Sequence, residues 1–111
     1  MPRPSAADRA TRDRIVADLG ALGFALPGTV LERRVRCGNK GCRCRADPPQ
    51  LHDPYYQWTR KVGGKTRTRL LSADQMARYA TRFENAGRLR ALASELEALS
   101  LEIAESAEGW G

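Results

Sequence analysis

The feature that most restricts how this chain folds is a pair of glycines, Gly63-Gly64, between two stretches rich in β-branched, aromatic and basic residues. A two-residue connection of this kind needs positive φ at its centre, which glycine adopts freely, and it joins antiparallel strands as a hairpin. It also fixes the register. Val62 falls opposite Lys65, Arg60 opposite Arg67, Trp58 opposite Arg69 and Tyr56 opposite Leu71, all on one face. Tyr55, Gln57, Thr59, Lys61, Thr66, Thr68 and Leu70 take the other face. Two arginines directly opposite each other repel, a local cost that a phosphate between them would turn into a clamp. Trp58 beside Arg69 is placed for a cation–π contact or to offer its ring to a base. The competing reading keeps Tyr56, Trp58, Val62 and Leu71 as core under arginine stems, with the charges guarding an edge strand.

Helices are expected on either side. Ser5 followed three residues later by Asp8 reads as an N-cap for a helix over residues 5–23, with Ile15, Val16, Leu19 and Leu22 at helical spacing and Gly20 or Gly23 as the stop. Pro27 and Gly28 break the chain, and residues 29–36 read as a strand with Leu31 and Val35 on one face. After the hairpin, Ser72 caps a helix expected to run to about residue 107, with Asp74 in its first turn. Leu89, Leu92, Leu96, Leu99 and Ile103 keep a heptad pattern along it, suited to pairing two copies or to packing on the first helix. The expected architecture is α+β, one domain over residues 1–111: an N-terminal helix, a three-stranded antiparallel sheet with a cysteine-rich insertion, and a long C-terminal helix. Leu31 and Val35 are expected to share its core with Ile15, Leu19, Met76, Tyr79 and Phe83.

Charge is concentrated at the centre. The chain carries a net +6, and only three of its nineteen basic residues are lysine. Residues 31–71 hold +8, against +1 before them and −3 after them. A basic block rich in arginine suits bidentate contact with phosphate, where a merely solubilising surface mixes its signs. No apolar stretch approaches the roughly 18 residues of a membrane span, and the charged N-terminus does not read as a secretory signal, so a cytoplasmic protein is expected.

Cys37, Cys42 and Cys44 lie within eight residues, with the single histidine, His52, eight residues further on. Three thiols cannot all pair within one chain, and Cys42 and Cys44, one residue apart, have poor geometry for a disulfide. Thiolates are soft ligands, and a structural zinc takes four such groups in a tetrahedron. Gly38 and Gly41 allow the loop between Cys37 and Cys42 to fold back on one point, while Lys40, Arg43 and Arg45 offset the thiolate charge. Cys37, Cys42, Cys44 and His52 are therefore the candidate ligands of one structural zinc. Asp47, Asp53 or water are the alternatives to His52, and three reduced thiols beside an unrelated histidine remain the competing reading.

Together, Gly28-Thr29-Val30, Arg36-Cys37-Gly38, Cys42-Arg43-Cys44, His52, Pro54-Tyr55-Tyr56 and Gly64-Lys65-Thr66 resemble a family of short prokaryotic proteins without an assigned function, often encoded near mobile elements and phages. Asn39 stands where that family usually has lysine, and Asp53 where it has glycine. The resemblance covers about residues 28–71. It implies that the cysteines and His52 act as one site, and it supplies no activity.

The sequence thus leads to a nucleic-acid-binding accessory protein of a mobile element or phage, with DNA favoured over RNA. Arg60, Lys61, Lys65, Arg67 and Arg69 are the expected phosphate contacts. Arg34, Arg36, Lys40, Arg43 and Arg45 would extend that surface, and Tyr55 or Tyr56 could stack on unpaired bases. The alternative is a zinc-stabilised protein-interaction adaptor acting through the C-terminal helix. An enzyme is the weakest reading, with one histidine, no paired carboxylates in the basic centre and no phosphate loop.

Overall fold

The computed structural model describes residues 4–33 and 55–110, and it has the expected α+β order. Helix α1 spans Ala6–Gly20, strand β1 Thr29–Arg33, β2 Tyr55–Val62, β3 Lys65–Leu71, and helix α2 Ala73–Glu108. The expected zinc ligands Cys37, Cys42, Cys44 and His52 lie outside the described residues, as do Val35 and the bases Arg34, Arg36, Lys40, Arg43 and Arg45. The chain divides into two compact units, one of residues 1–26 with 81–111 and the other of residues 27–80.

The first unit is a pair of helices. α1 begins where the sequence places it, because Ser5 and Asp8 satisfy each other's amides. Asp8 N donates to Ser5 Oγ at 3.0 Å, and Ser5 N donates to Asp8 Oδ2 at 2.9 Å. It ends at Gly20, the earlier of the two expected stops, with Ala21 N donating back to Ala17 O. The helices run antiparallel, since partners further along α1 meet residues earlier in α2. Arg14 pairs with Glu95, and Asp18 accepts from Arg14 at 3.0 Å and lies 3.6 Å from Arg88. Beyond α1, Asn85 Nδ2 donates to Phe24 O at 2.9 Å and Leu26 N donates to Arg82 O at 3.0 Å. Ile15 is fully enclosed, and Ala86 and Leu92 are buried with it. Val16 does not join this stripe: it is 42 % exposed, one step round the helix from Ile15.

α2 starts on a second reciprocal cap, Gln75 N donating to Ser72 Oγ at 3.1 Å and Ser72 N to Gln75 Oε1 at 2.9 Å. It then continues through Gly87 without interruption to Glu108.

The second unit carries the sheet, in the order β1-β2-β3 with both pairings antiparallel. The hairpin register follows from the two-glycine turn: Val62 pairs with Lys65, Arg60 with Arg67, Trp58 with Arg69 and Tyr56 with Leu71. Gly63 and Gly64 both have positive φ, at 57° and 80°, as this turn requires. β1 pairs with β2 so that Val30 lies opposite Trp58, Glu32 opposite Tyr56 and Leu31 opposite Gln57. This corrects the expected facing of β1. Leu31 shares its side of the sheet with Leu70, and both are exposed, at 50 % and 62 %. Leu31 is therefore not a core residue; on the other side only the end of β3 is buried, with Leu71 5 % exposed while Val62, Lys65, Arg67 and Arg69 of that side are exposed.

Candidate nucleic-acid interface

The hairpin Tyr55–Leu71 contains five basic residues and no acidic one. Strand alternation divides the bases unequally. Arg60, Lys65, Arg67 and Arg69 share the side of Trp58 and Leu71, and Lys61 stands on the opposite side, paired with Thr66. That opposite side is uncharged but for Lys61 and Arg33, and it includes Thr29, Gln57, Thr59 and Thr68. Thr59 and Thr68, directly opposite, have their hydroxyls 3.3 Å apart.

Cross-strand partners hold their Cα atoms about 4.5–5.5 Å apart, so Arg60 and Arg67 are forced into proximity by the backbone. The guanidinium of Arg60 lies over the indole of Trp58, 4.3 Å from the ring centroid. Sequence placed Arg69 in that role. Arg60 takes it because it stands two residues along the same strand and on the same face, while Arg69 stays exposed. Nη1 of Arg60 is shielded from solvent and has no hydrogen-bond partner among the described residues.

Trp58 is itself held in place. Its Nε1 donates to Pro27 O at 2.8 Å, and Gly28, next in the chain, has φ 105° and lies flat against β2. A Cβ at Gly28 would stand 2.4 Å from Thr59 O and 2.8 Å from Trp58 Nε1. With one edge bound to Pro27 and a ring face under Arg60, the indole acts as a support for the arginine. The role of base-stacking platform finds no basis in this arrangement.

The hairpin bases differ from several elsewhere in their company. In the helical unit, Arg12, Arg14 and Arg88 each lie within 4.0 Å of a carboxylate. Lys61, Lys65, Arg67 and Arg69 have no such partner among the described residues, and the last three are exposed on the outer strand β3. Among the described residues, no group of histidine, cysteine, aspartate or glutamate could hold a metal ion, and no helix is long and apolar enough to cross a membrane.

Residues 6–80, about two thirds of the chain, match the family described as a domain of unknown function, DUF6788. The chain belongs to this family. The DUF6788 match takes in α1, the whole sheet, the cysteine-bearing segment and the first turns of α2, and it stops before the heptad leucines. No curated protein and no solved structure matches the chain.

The heptad residues are drawn into the helical unit. Leu92 is buried, and Leu96, Leu99 and Ile103 line an open groove of about 220 Å³ with Pro4, Asp8, Arg9 and Arg12. Leu89 faces outward at 42 % exposure.

Proposed function

We propose that the chain binds the phosphate backbone of nucleic acid, duplex DNA foremost, through the basic hairpin, as an accessory protein of a mobile element or phage. The observation that carries this reading is the unbalanced hairpin: five bases, no acid, and four of the five on one side of the sheet. Guarding an edge strand accounts for charge on β3 and on the end of β2, where Arg60 and Lys61 run past the last β1 pair at Thr29 and Thr59, but not for the placement of four of the five bases on one side. A polyanion explains both, because neutralising phosphates releases counterions and repays the repulsion between neighbouring bases.

The cysteine-bearing segment joins β1 to β2 and brings Arg34, Arg36, Lys40, Arg43 and Arg45 to the same stretch of chain. In this reading Cys37, Cys42, Cys44 and His52 hold one structural zinc that supports the basic surface. The test is the salt dependence of duplex binding. Each phosphate contact contributes about one unit to the slope of log affinity against log salt, so Arg67→Ala with Arg69→Ala flattens it by about two. Parent protein that fails to bind duplex at low salt refutes the reading.

A second reading, a protein-interaction adaptor, draws on the groove lined by Leu96, Leu99 and Ile103. It requires that Leu96→Glu abolish association with a second copy, read as sedimentation mass, and that this association respond weakly to salt.

A further inference from the structure

We infer that Arg60 and Arg67 form a discrete phosphate-binding subsite, preset by Trp58, within the otherwise diffuse basic surface; this inference rests on the nucleic-acid reading and gives it an anchor point.

Three observations converge on it. The Arg60 guanidinium lies over the Trp58 indole, 4.3 Å from the ring centroid, which removes much of the freedom a surface arginine has. Its Nη1 is shielded from solvent and meets no acceptor among the described residues, a cost that is relieved when a turn of the guanidinium brings it to an anion held by Arg67. Arg67 is its direct cross-strand partner, so a second arginine stands on the same face. One group satisfies all three: a phosphate, which accepts from planar guanidiniums in pairs and carries the charge that offsets two of them. Chloride or a single carboxylate satisfies fewer donors.

Trp58 is a positioning residue here. Its ring holds Arg60, and its Nε1 bond to Pro27 at 2.8 Å holds the ring. Lys61, on the same strand but the opposite face, carries the same charge without this geometry and serves as an internal control.

The experiment uses the full chain with Trp110→Phe, leaving Trp58 as its only tryptophan. Inorganic phosphate and dimethyl phosphate are titrated separately at constant ionic strength with chloride as the balancing anion, and Trp58 emission is followed. Expected is a saturable change with phosphate, weakened tenfold or more by Arg67→Ala and less than twofold by Lys61→Ala. Arg67 is exposed on the outer strand, so its removal leaves the fold intact, which circular dichroism checks; Arg67→Gln serves as a second variant. A response to dimethyl phosphate assigns the subsite to the nucleic-acid backbone, and a response to inorganic phosphate alone assigns it to a free or terminal phosphate. No saturable response to either, or equal effects of Arg67→Ala and Lys61→Ala, overturns the subsite. Duplex binding by the parent, measured in parallel, separates that result from failure of the nucleic-acid reading: steep salt-dependent binding without phosphate saturation means a diffuse field and no anchor.

Discussion

Trp58 Nε1 donates a 2.8 Å hydrogen bond to the carbonyl oxygen of Pro27, 31 residues earlier in the chain. This bond fastens the lead-in of β1 to the central strand, and it holds the indole that lies under Arg60. Trp58→Phe keeps an aromatic surface under the guanidinium but removes the donor. The expected loss is about 1 kcal/mol of stability, the usual net worth of one hydrogen bond, read by urea denaturation. Unchanged stability would mean that water replaces the indole at Pro27 without cost.

Gly28 gives the same junction its close approach. Its φ of 105° is strained for any other residue, and a Cβ would collide with Thr59 O at 2.4 Å, a backbone atom that cannot rotate away. Gly28→Ala therefore combines backbone strain with overpacking, and the expected cost is about 2–5 kcal/mol. Gly20, where a Cβ meets nothing within 4 Å, is the matched comparison: Gly20→Ala is expected to be tolerated. Equal stability of the two variants, by thermal melting, would count against the close packing of Gly28 on β2.

The parts of the fold legible in the sequence are those governed by local chemistry. Gly63-Gly64 fixes the hairpin register because the turn admits few alternatives, and Ser5 with Asp8 marks a helix start because each closes the other's amide. The facing of β1 was not legible. Val30 and Leu31 are consecutive and both apolar, so alternation alone does not say which shares a side with Leu71; pairing with β2 puts Val30 in the row of Trp58 and Leu31 in that of Gln57. The arginine that stacks on Trp58 was ambiguous for a similar reason, since Arg60 and Arg69 both neighbour the indole on one face. The cap of α2 was readable as Ser72 with Gln75, a Ser-x-x-Gln signature that sequence reasoning passed over in favour of Asp74. Of the candidate site, the hairpin bases were legible as a set, whereas the shielded Nη1 of Arg60 depends on packing that no spacing rule contains.

Gly87 sits inside α2 with room to spare. The nearest atom to an added Cβ is Arg90 Nη2 at 3.8 Å, an ordinary contact with the end of a flexible side chain. Glycine in a helix interior costs up to about 1 kcal/mol relative to alanine, so Gly87→Ala is expected to stabilise the chain by about that amount. For a domain of this size the midpoint of thermal melting rises by roughly 5 °C. A lower midpoint would show that the helix needs glycine at this position for a bend.

The zinc expectation is tested on the intact chain. Three thiols within eight residues and the single histidine give a donor set of the soft and borderline type that zinc favours, and Lys40, Arg43 and Arg45 offset its negative charge. Protein purified under reducing conditions without chelator is expected to carry one zinc per chain by elemental analysis. Because a structural metal contributes directly to folding free energy, stripping it with a strong chelator is expected to lower the melting midpoint and, with it, duplex affinity. Cys37→Ser and Cys42→Ser should each lower both zinc content and melting midpoint. His52→Ala distinguishes the fourth ligand: a large fall in zinc affinity assigns it to His52, and full retention moves it to Asp47, Asp53 or water. Zinc content near zero in fresh, reduced protein would remove the metal from the account and leave the basic hairpin as the sole basis for binding.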